Sequence, residues 1–219
     1  MASENRLNYI TPQFVKYQNV DDLLENNGHH SSFNKDNNLS IKDLLKENFV
    51  CIVGEPGIGK SRLLDEVKEK ISPKTFFFCK ASEFTAPSVP KEDEYCIIDA
   101  LDEVEGHLFY NVLQSIKHYK EENSNVKVLF TCRKHYVASY AQHFADCNHL
   151  TFIEICRLSE KTVMDFISNT CNDPKTILEN INKSPKLREL ITIPRYLTFL
   201  LQYTKQKKRM STLVSCSNI

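Results

Sequence analysis

FVCIVGEPGIGKS, running from Phe49 to Ser61, sets an unbroken apolar run against a glycine-rich turn. The run Phe49–Val53 predicts a strand buried on both faces. Lys60-Ser61-Arg62-Leu63-Leu64 then opens a helix, predicted over Lys60–Ile71. Strand, glycine turn and helix in that order form the context in which GxxxxGKS reads as a phosphate-binding loop. Glycines 54, 57 and 59 let the backbone turn tightly and bring N–H groups onto phosphate oxygens. The helix N-terminus adds partial positive charge. Lys60 suits β- and γ-phosphates, and the Ser61 hydroxyl suits Mg²⁺. Candidate nucleotide-binding residues are thus Gly54, Glu55, Pro56, Gly57, Ile58, Gly59, Lys60, Ser61 and Arg62.

Working outward, Tyr95-Cys96-Ile97-Ile98-Asp99-Ala100-Leu101-Asp102-Glu103 is a second apolar run that ends in acid. Asp99 should emerge at the strand's carboxyl end and hold Mg²⁺ opposite Ser61, directly or through water. Asp102 and Glu103 follow as candidates for orienting and deprotonating water. Three carboxylates between Asp99 and Glu103 repel one another unless a cation lies near, which Mg²⁺ would supply. The alternative is an acidic loop that caps the next helix.

Val126-Lys127-Val128-Leu129-Phe130-Thr131-Cys132-Arg133 is a third. If this strand lies between the other two, Thr131 and Arg133 fall beside the γ-phosphate, and Arg133 is a candidate for stabilising charge in transfer. The alternative is a surface arginine paired with a nearby carboxylate. Near the C-terminus, Ile193-Pro194-Arg195-Tyr196-Leu197 reads on its own as ordinary helix-start chemistry.

The apolar runs Phe49–Val53, Thr75–Cys79, Tyr95–Asp99, Val126–Thr131 and Leu150–Ile155 alternate with helical stretches near Lys60–Ile71, His107–Glu122 and Tyr136–Ala145. That rhythm predicts a doubly wound, mainly parallel α/β sheet with its ligand site at the strands' carboxyl ends. Beyond Cys156 the pattern is helical only, with starts at Ser159, Asn172-Asp173-Pro174, Ser184-Pro185 and Ile193-Pro194. The expected organisation is a polar N-terminal extension over 1–45, the α/β core over 46–157, a helical segment over 158–204 and a basic-to-polar tail over 205–219. Within the extension, Tyr9–Val15 reads as a short extended segment, Asn26–Asn38 as a mobile loop, and Ser40 as the cap of a helix Ile41–Glu47. His29-His30 lacks supporting metal ligands nearby in the sequence and reads as solvated. Phe199, Leu200 and Leu201 are apolar positions that, if exposed, would seek a partner.

The chain has 219 residues, with 28 basic and 28 acidic side chains, so no global charge draws it to nucleic acid or anionic membrane. Its eight cysteines form no CxxC pair, and several lie in apolar runs. That usage suits a reducing, cytoplasmic setting better than a disulfide frame or zinc site. No stretch is long and apolar enough to span a bilayer.

Together these motifs resemble the NACHT family of STAND nucleotide-binding switches, within the P-loop ATPases that use an added catalytic acid. The resemblance covers roughly Phe49 to Tyr203. GEPGIGKS is similar to the first motif, IIDALDE to the second and VLFTCR to the sensor strand, while LITIPRYLTFLL resembles the proline-containing helix that touches the nucleotide. It implies a five-stranded sheet ordered 5-1-4-3-2, ATP/ADP specificity with Mg²⁺, slow hydrolysis, oligomerisation in the ATP state and a place for Pro194 near the adenine. By analogy alone it also suggests a defence or signalling role. The winged helix and repeat array usual in such proteins have no counterpart in these residues. A truncated or split product, or a minimal module working with a separate sensor or effector, is therefore expected. The competing functions are a slow Mg-dependent ATPase switch, a nucleotide-binding interaction module without turnover, and a nucleic-acid-associated ATPase, the last supported only by KQKKR at 205–209.

Overall fold

The computed structural model describes residues 12–25, 39–86, 89, 94–171 and 173–204. The expected loop Asn26–Asn38, with its His pair, and the tail from 205 lie outside these residues. The chain divides into two units, Gln13–Cys156 and a second whose described part is Pro12, 157–171 and 173–204.

The first unit is built on a six-stranded sheet. In chain order its strands are β1 (Phe14–Tyr17), β2 (Phe49–Val53), β3 (Phe76–Lys80), β4 (Tyr95–Asp99), β5 (Lys127–Cys132) and β6 (Thr151–Ile155). They lie in the order β1-β6-β2-β5-β4-β3. All neighbours are parallel except β1, which pairs antiparallel with β6. Strand count and order therefore differ from the five-stranded 5-1-4-3-2 sheet expected from the sequence. The physical reason is β1. Phe14 and Tyr17 are buried, and the strand registers Phe14 against Ile155 and Tyr17 against Phe152, covering an edge of β6 that would otherwise be open. Part of the expected polar extension is thus a sheet strand.

Every residue of β2 is buried, as its unbroken apolar sequence requires. Its pleat divides the core in two. Val50 and Ile52 pack with Leu44 of α2 (Ile41–Leu44) and with Leu63, Leu64, Val67 and Ile71 of α3 (Lys60–Ile71). Cys51 and Val53 face the other layer. That layer takes in Val20 and Leu23 of α1 (Val20–Glu25), Phe109, Leu113 and Ile116 of α4 (Gly106–Glu122), Val137 of α5 (Lys134–Ser139) and Phe144 of α6 (Ala141–Ala145). The result is helix, sheet, helix in three layers.

Several boundaries move. The helix expected over Tyr136–Ala145 is two short ones, because Tyr140 leaves helical geometry at φ −117° and ψ 26°. α2 stops at Leu44, short of Glu47, but keeps Ser40 as its cap, in a reciprocal box with Asp43. β3 is displaced one residue from Thr75–Cys79.

The second unit is helical: α7 (Glu160–Thr170), α8 (Pro174–Asn182), α9 (Pro185–Leu190) and α10 over 194–204. Ser159, Asp173 and Ser184 each accept a backbone N–H at a helix start. Val163, Ile167, Ile181, Ile191, Leu197 and Leu201 form its core. Leu201 is therefore buried rather than exposed. Phe199 is half exposed, with the Arg195 guanidinium 5.4 Å from its ring centroid. Among the described residues, no helix is long and apolar enough to cross a membrane.

Candidate functional site

The site is assembled where β2, β4 and β5 end. β5 lies between β2 and β4, so the glycine loop after β2, the acidic turn after β4 and the Thr131–Arg133 stretch converge at the carboxyl ends of these three strands. Local backbone makes each contribution. Gly59 adopts φ +111° and Gly57 φ +80°, a left-handed geometry that other residues rarely tolerate. At Gly54 the constraint is space: a Cβ there would lie 2.8 Å from Ile58 Cγ2. The first helical residue is Lys60, and its Nζ donates to the carbonyls of Gly54 and Glu55 at 3.0 and 3.2 Å. Burial lowers the Lys60 pKa, and the nearby Asp102 carboxylate pulls it back up.

Ser61 Oγ donates to Asp99 Oδ2 at 3.0 Å. Two adjacent oxygens of an octahedral Mg²⁺ shell, each ~2.1 Å from the metal, stand ~3 Å apart, so this pair fits the ion. Among the described residues no group of three or more His, Cys, Asp or Glu side chains could cage a metal. Mg²⁺ at phosphate sites ordinarily takes one or two protein oxygens and completes its shell with phosphate and water. Ser61 and Asp99 are the residues that would hold it, and the ion would neutralise phosphate charge there.

Beyond Asp99 the chain turns sharply. Ala100 has φ +62°, and a 3-10 turn, Leu101–Glu103, follows. The turn sends Asp102 inward and leaves Glu103 exposed. Arg133 Nε pairs with Asp102 Oδ2 at 2.7 Å, the arginine side chain being 36% exposed and the carboxylate only 3%. Asp102 Oδ1 is buried with no hydrogen-bond partner. The sequence left two readings of Arg133, a place beside the γ-phosphate or a pair with a nearby carboxylate, and Asp102 is the carboxylate it meets. The Arg133 guanidinium is one cation beside the acidic turn, and the Lys60 ammonium is another. Arg62 and Glu55 flank the loop, Pro56 is exposed at its tip and Ile58 is buried beneath it. Pro194 opens α10 in the helical unit.

Two features were not legible in advance. Thr131 Oγ1 donates to Asp99 Oδ1 at 2.6 Å and accepts from the Ala100 N–H at 2.7 Å. Its terminal position on a strand was visible, but its partner depended on strand order. Glu154, buried on β6, accepts from Lys134 Nζ at 3.1 and 3.2 Å and from the Tyr17 hydroxyl at 3.2 Å. A charged residue inside TFIEI was the signal available for it.

A glycine loop joining a buried strand to a helix, with an aspartate at the end of a non-adjacent parallel strand, defines the class: a P-loop nucleotide-binding fold. A family model described as novel STAND NTPase 3, nSTAND3, matches residues 34–184, and the chain belongs to that family. The STAND class is thereby established, while the NACHT resemblance is finer than this match. No curated protein matches the chain. Similar solved structures include protein NMB1076 from Neisseria meningitidis, at 21% identity over 48% of this chain and 76% of that one, with a TM-score of 0.29. Closed-state Hsp104 with ATPγS and FITC-casein is 13% identical over 70% of this chain and 32% of that one, at 0.44. A RuvB mutant from Thermotoga maritima is 15% identical over 77% of this chain and 57% of that one, at 0.40. These likenesses are too distant to bear on function.

Proposed function

We propose that the chain is an ATP-binding STAND switch that hydrolyses ATP slowly with Mg²⁺, and that it works in a NACHT-like signalling or defence assembly, as a homo-oligomer or with a separate sensor or effector. The observation that carries this reading is the Ser61–Asp99 pair at 3.0 Å, which joins the first turn of α3, next to Lys60, to the end of β4. In this reading the loop from Gly54 to Arg62 binds phosphates, Ser61 and Asp99 hold the metal, Asp102 and Glu103 orient water, Arg133 answers to the γ-phosphate, and Pro194 borders the adenine. A cytoplasmic location is part of the proposal and is supported by free thiols at every described cysteine.

A second reading, nucleotide binding without turnover, is favoured by one observation: Asp102 is occupied by Arg133 and buried. Calorimetry of ATP and ADP, with and without Mg²⁺, on wild type and Lys60→Ala tests the shared step. Wild type should bind, and the variant should lose about ten-fold or more in affinity, as expected for a charge-assisted contact. Equal binding by both would sink the loop assignment. Single-turnover hydrolysis that vanishes in Glu103→Gln, with ATP still bound, would select the first reading over the second.

A further inference from the structure

We propose that Thr131 is a positioning residue of the metal site, which selects the oxygen of Asp99 that meets the ion. The inference rests on the reading of Ser61 and Asp99 as the Mg²⁺ ligands. Thr131 is fully buried at the end of β5, between the strand that leads into the loop and the strand that ends in Asp99. Its hydroxyl has two partners in fixed roles. The Ala100 amide can only donate, so its proton points at Thr131 Oγ1 across 2.7 Å. The one hydroxyl proton is then committed to Asp99 Oδ1 at 2.6 Å.

Oδ1 is thereby engaged, and Oδ2 is the oxygen that faces Ser61 Oγ at 3.0 Å. Rotation about the last bond of an aspartate is broad and nearly two-fold, so the strand alone does not fix the carboxylate plane. The bond from Thr131 does. The same hydroxyl also anchors Ala100 in its left-handed conformation, φ +62°, which a residue with a Cβ avoids without compensation. That turn carries Asp102 and Glu103. A single buried hydroxyl therefore sets the metal-facing oxygen and the start of the acidic turn together.

The test is calorimetry of ATP binding to the full chain in Mg²⁺ and in EDTA, for wild type, Thr131→Val, Thr131→Ser, Asp99→Asn and Asp99→Asn/Thr131→Val. Valine keeps the shape and deletes both bonds, while serine keeps both. The expected result is that the Mg²⁺-dependent gain in affinity falls about ten-fold or more in Thr131→Val, on the scale of a lost hydrogen bond to a charged group. Affinity in EDTA should stay within about two-fold, and Thr131→Ser should keep the wild-type gain. Adding Thr131→Val to Asp99→Asn should cost nothing further, because residues acting through one another are not additive. If the valine variant does not fold, Thr131→Cys, whose thiol is a weak hydrogen-bonding group, takes its place with the same expectation. An unchanged Mg²⁺ gain in the valine or cysteine variant overturns the proposal. So does an equal loss in Mg²⁺ and EDTA, or a serine variant as impaired as valine. Wild type that binds no nucleotide overturns the underlying metal-site reading, and this proposal with it, and is distinguished by failing before any variant is compared.

Discussion

Arg133 and Asp102 face each other from opposite sides of a solvent boundary, and that asymmetry has consequences. The carboxylate is 3% exposed and the guanidinium 36%. Removing the arginine strands a buried charge that already has one oxygen unpartnered, whereas neutralising the acid leaves a cation that water can reach. Arg133→Ala should therefore destabilise the fold by about 2 kcal/mol, below the full cost of breaking a buried pair because the arginine is partly solvated. Asp102→Asn should cost about 1 kcal/mol or less, and the double variant should recover part of the arginine loss. Urea unfolding of the three proteins measures this, and an equal loss in both single variants would contradict it. At this scale the residue types of the site were readable from the sequence, because strand-end acids and a GKS loop announce their chemistry. What touches what was not. Which carboxylate Arg133 meets was set by the inward turn at Ala100, a left-handed residue that no local pattern signals.

The elements divide along a similar line. β2 and β4 were legible to the residue, because a central strand buried on both faces has to be continuously apolar. β3 shifted by one residue, since an edge strand with a largely exposed face tolerates either register of the phenylalanine run. β1 was seen only as an extended segment. Four residues, FVKY, carry too little pattern, and what makes them a strand is the open flank of β6. Its attachment is specific: Phe14 is 2% exposed, and the Tyr17 hydroxyl donates to the buried Glu154, which also takes Lys134. Burial, first, and the Glu154 charge, second, push the Tyr17 pKa well up, so the phenol stays protonated and keeps donating through ordinary alkaline pH. Tyr17→Phe should cost about 1 kcal/mol, one hydrogen bond to a charged acceptor in a pair that Lys134 still neutralises. Phe14→Ala should cost about 3–5 kcal/mol through the cavity it leaves. Thermal unfolding gives the ranking, and hydrogen exchange at 14–17 should rise sharply only in Phe14→Ala. Fast exchange there in the wild type would mean that β1 is not held.

At the scale of the whole molecule, the sheet brings loops far apart in sequence to the carboxyl ends of three strands, and binding energy placed there should return as stability of the unit that builds it. A ligand at about a hundred times its dissociation constant stabilises the native state by ~2.7 kcal/mol, provided it has no affinity for the unfolded chain. For a protein of this size each kcal/mol raises the melting temperature by ~2–4 °C, so saturating Mg-ATP should raise it by roughly 5–10 °C. EDTA should remove much of that shift, since Ser61 and Asp99 would then have no ion to hold. Hydrogen exchange locates the effect. Protection should be gained at 54–61, 99–103 and 131–133 together, because β2, β4 and β5 deliver those segments at their carboxyl ends. The helix opened by Pro194 belongs to the other unit, and its response decides a separate matter. Protection at 193–197 with Mg-ATP, absent in Lys60→Ala, would bring Pro194 to the nucleotide as the family resemblance implies. Protection confined to the three segments of the sheet unit would leave nucleotide recognition to residues 13–156 alone and remove Pro194 from the site.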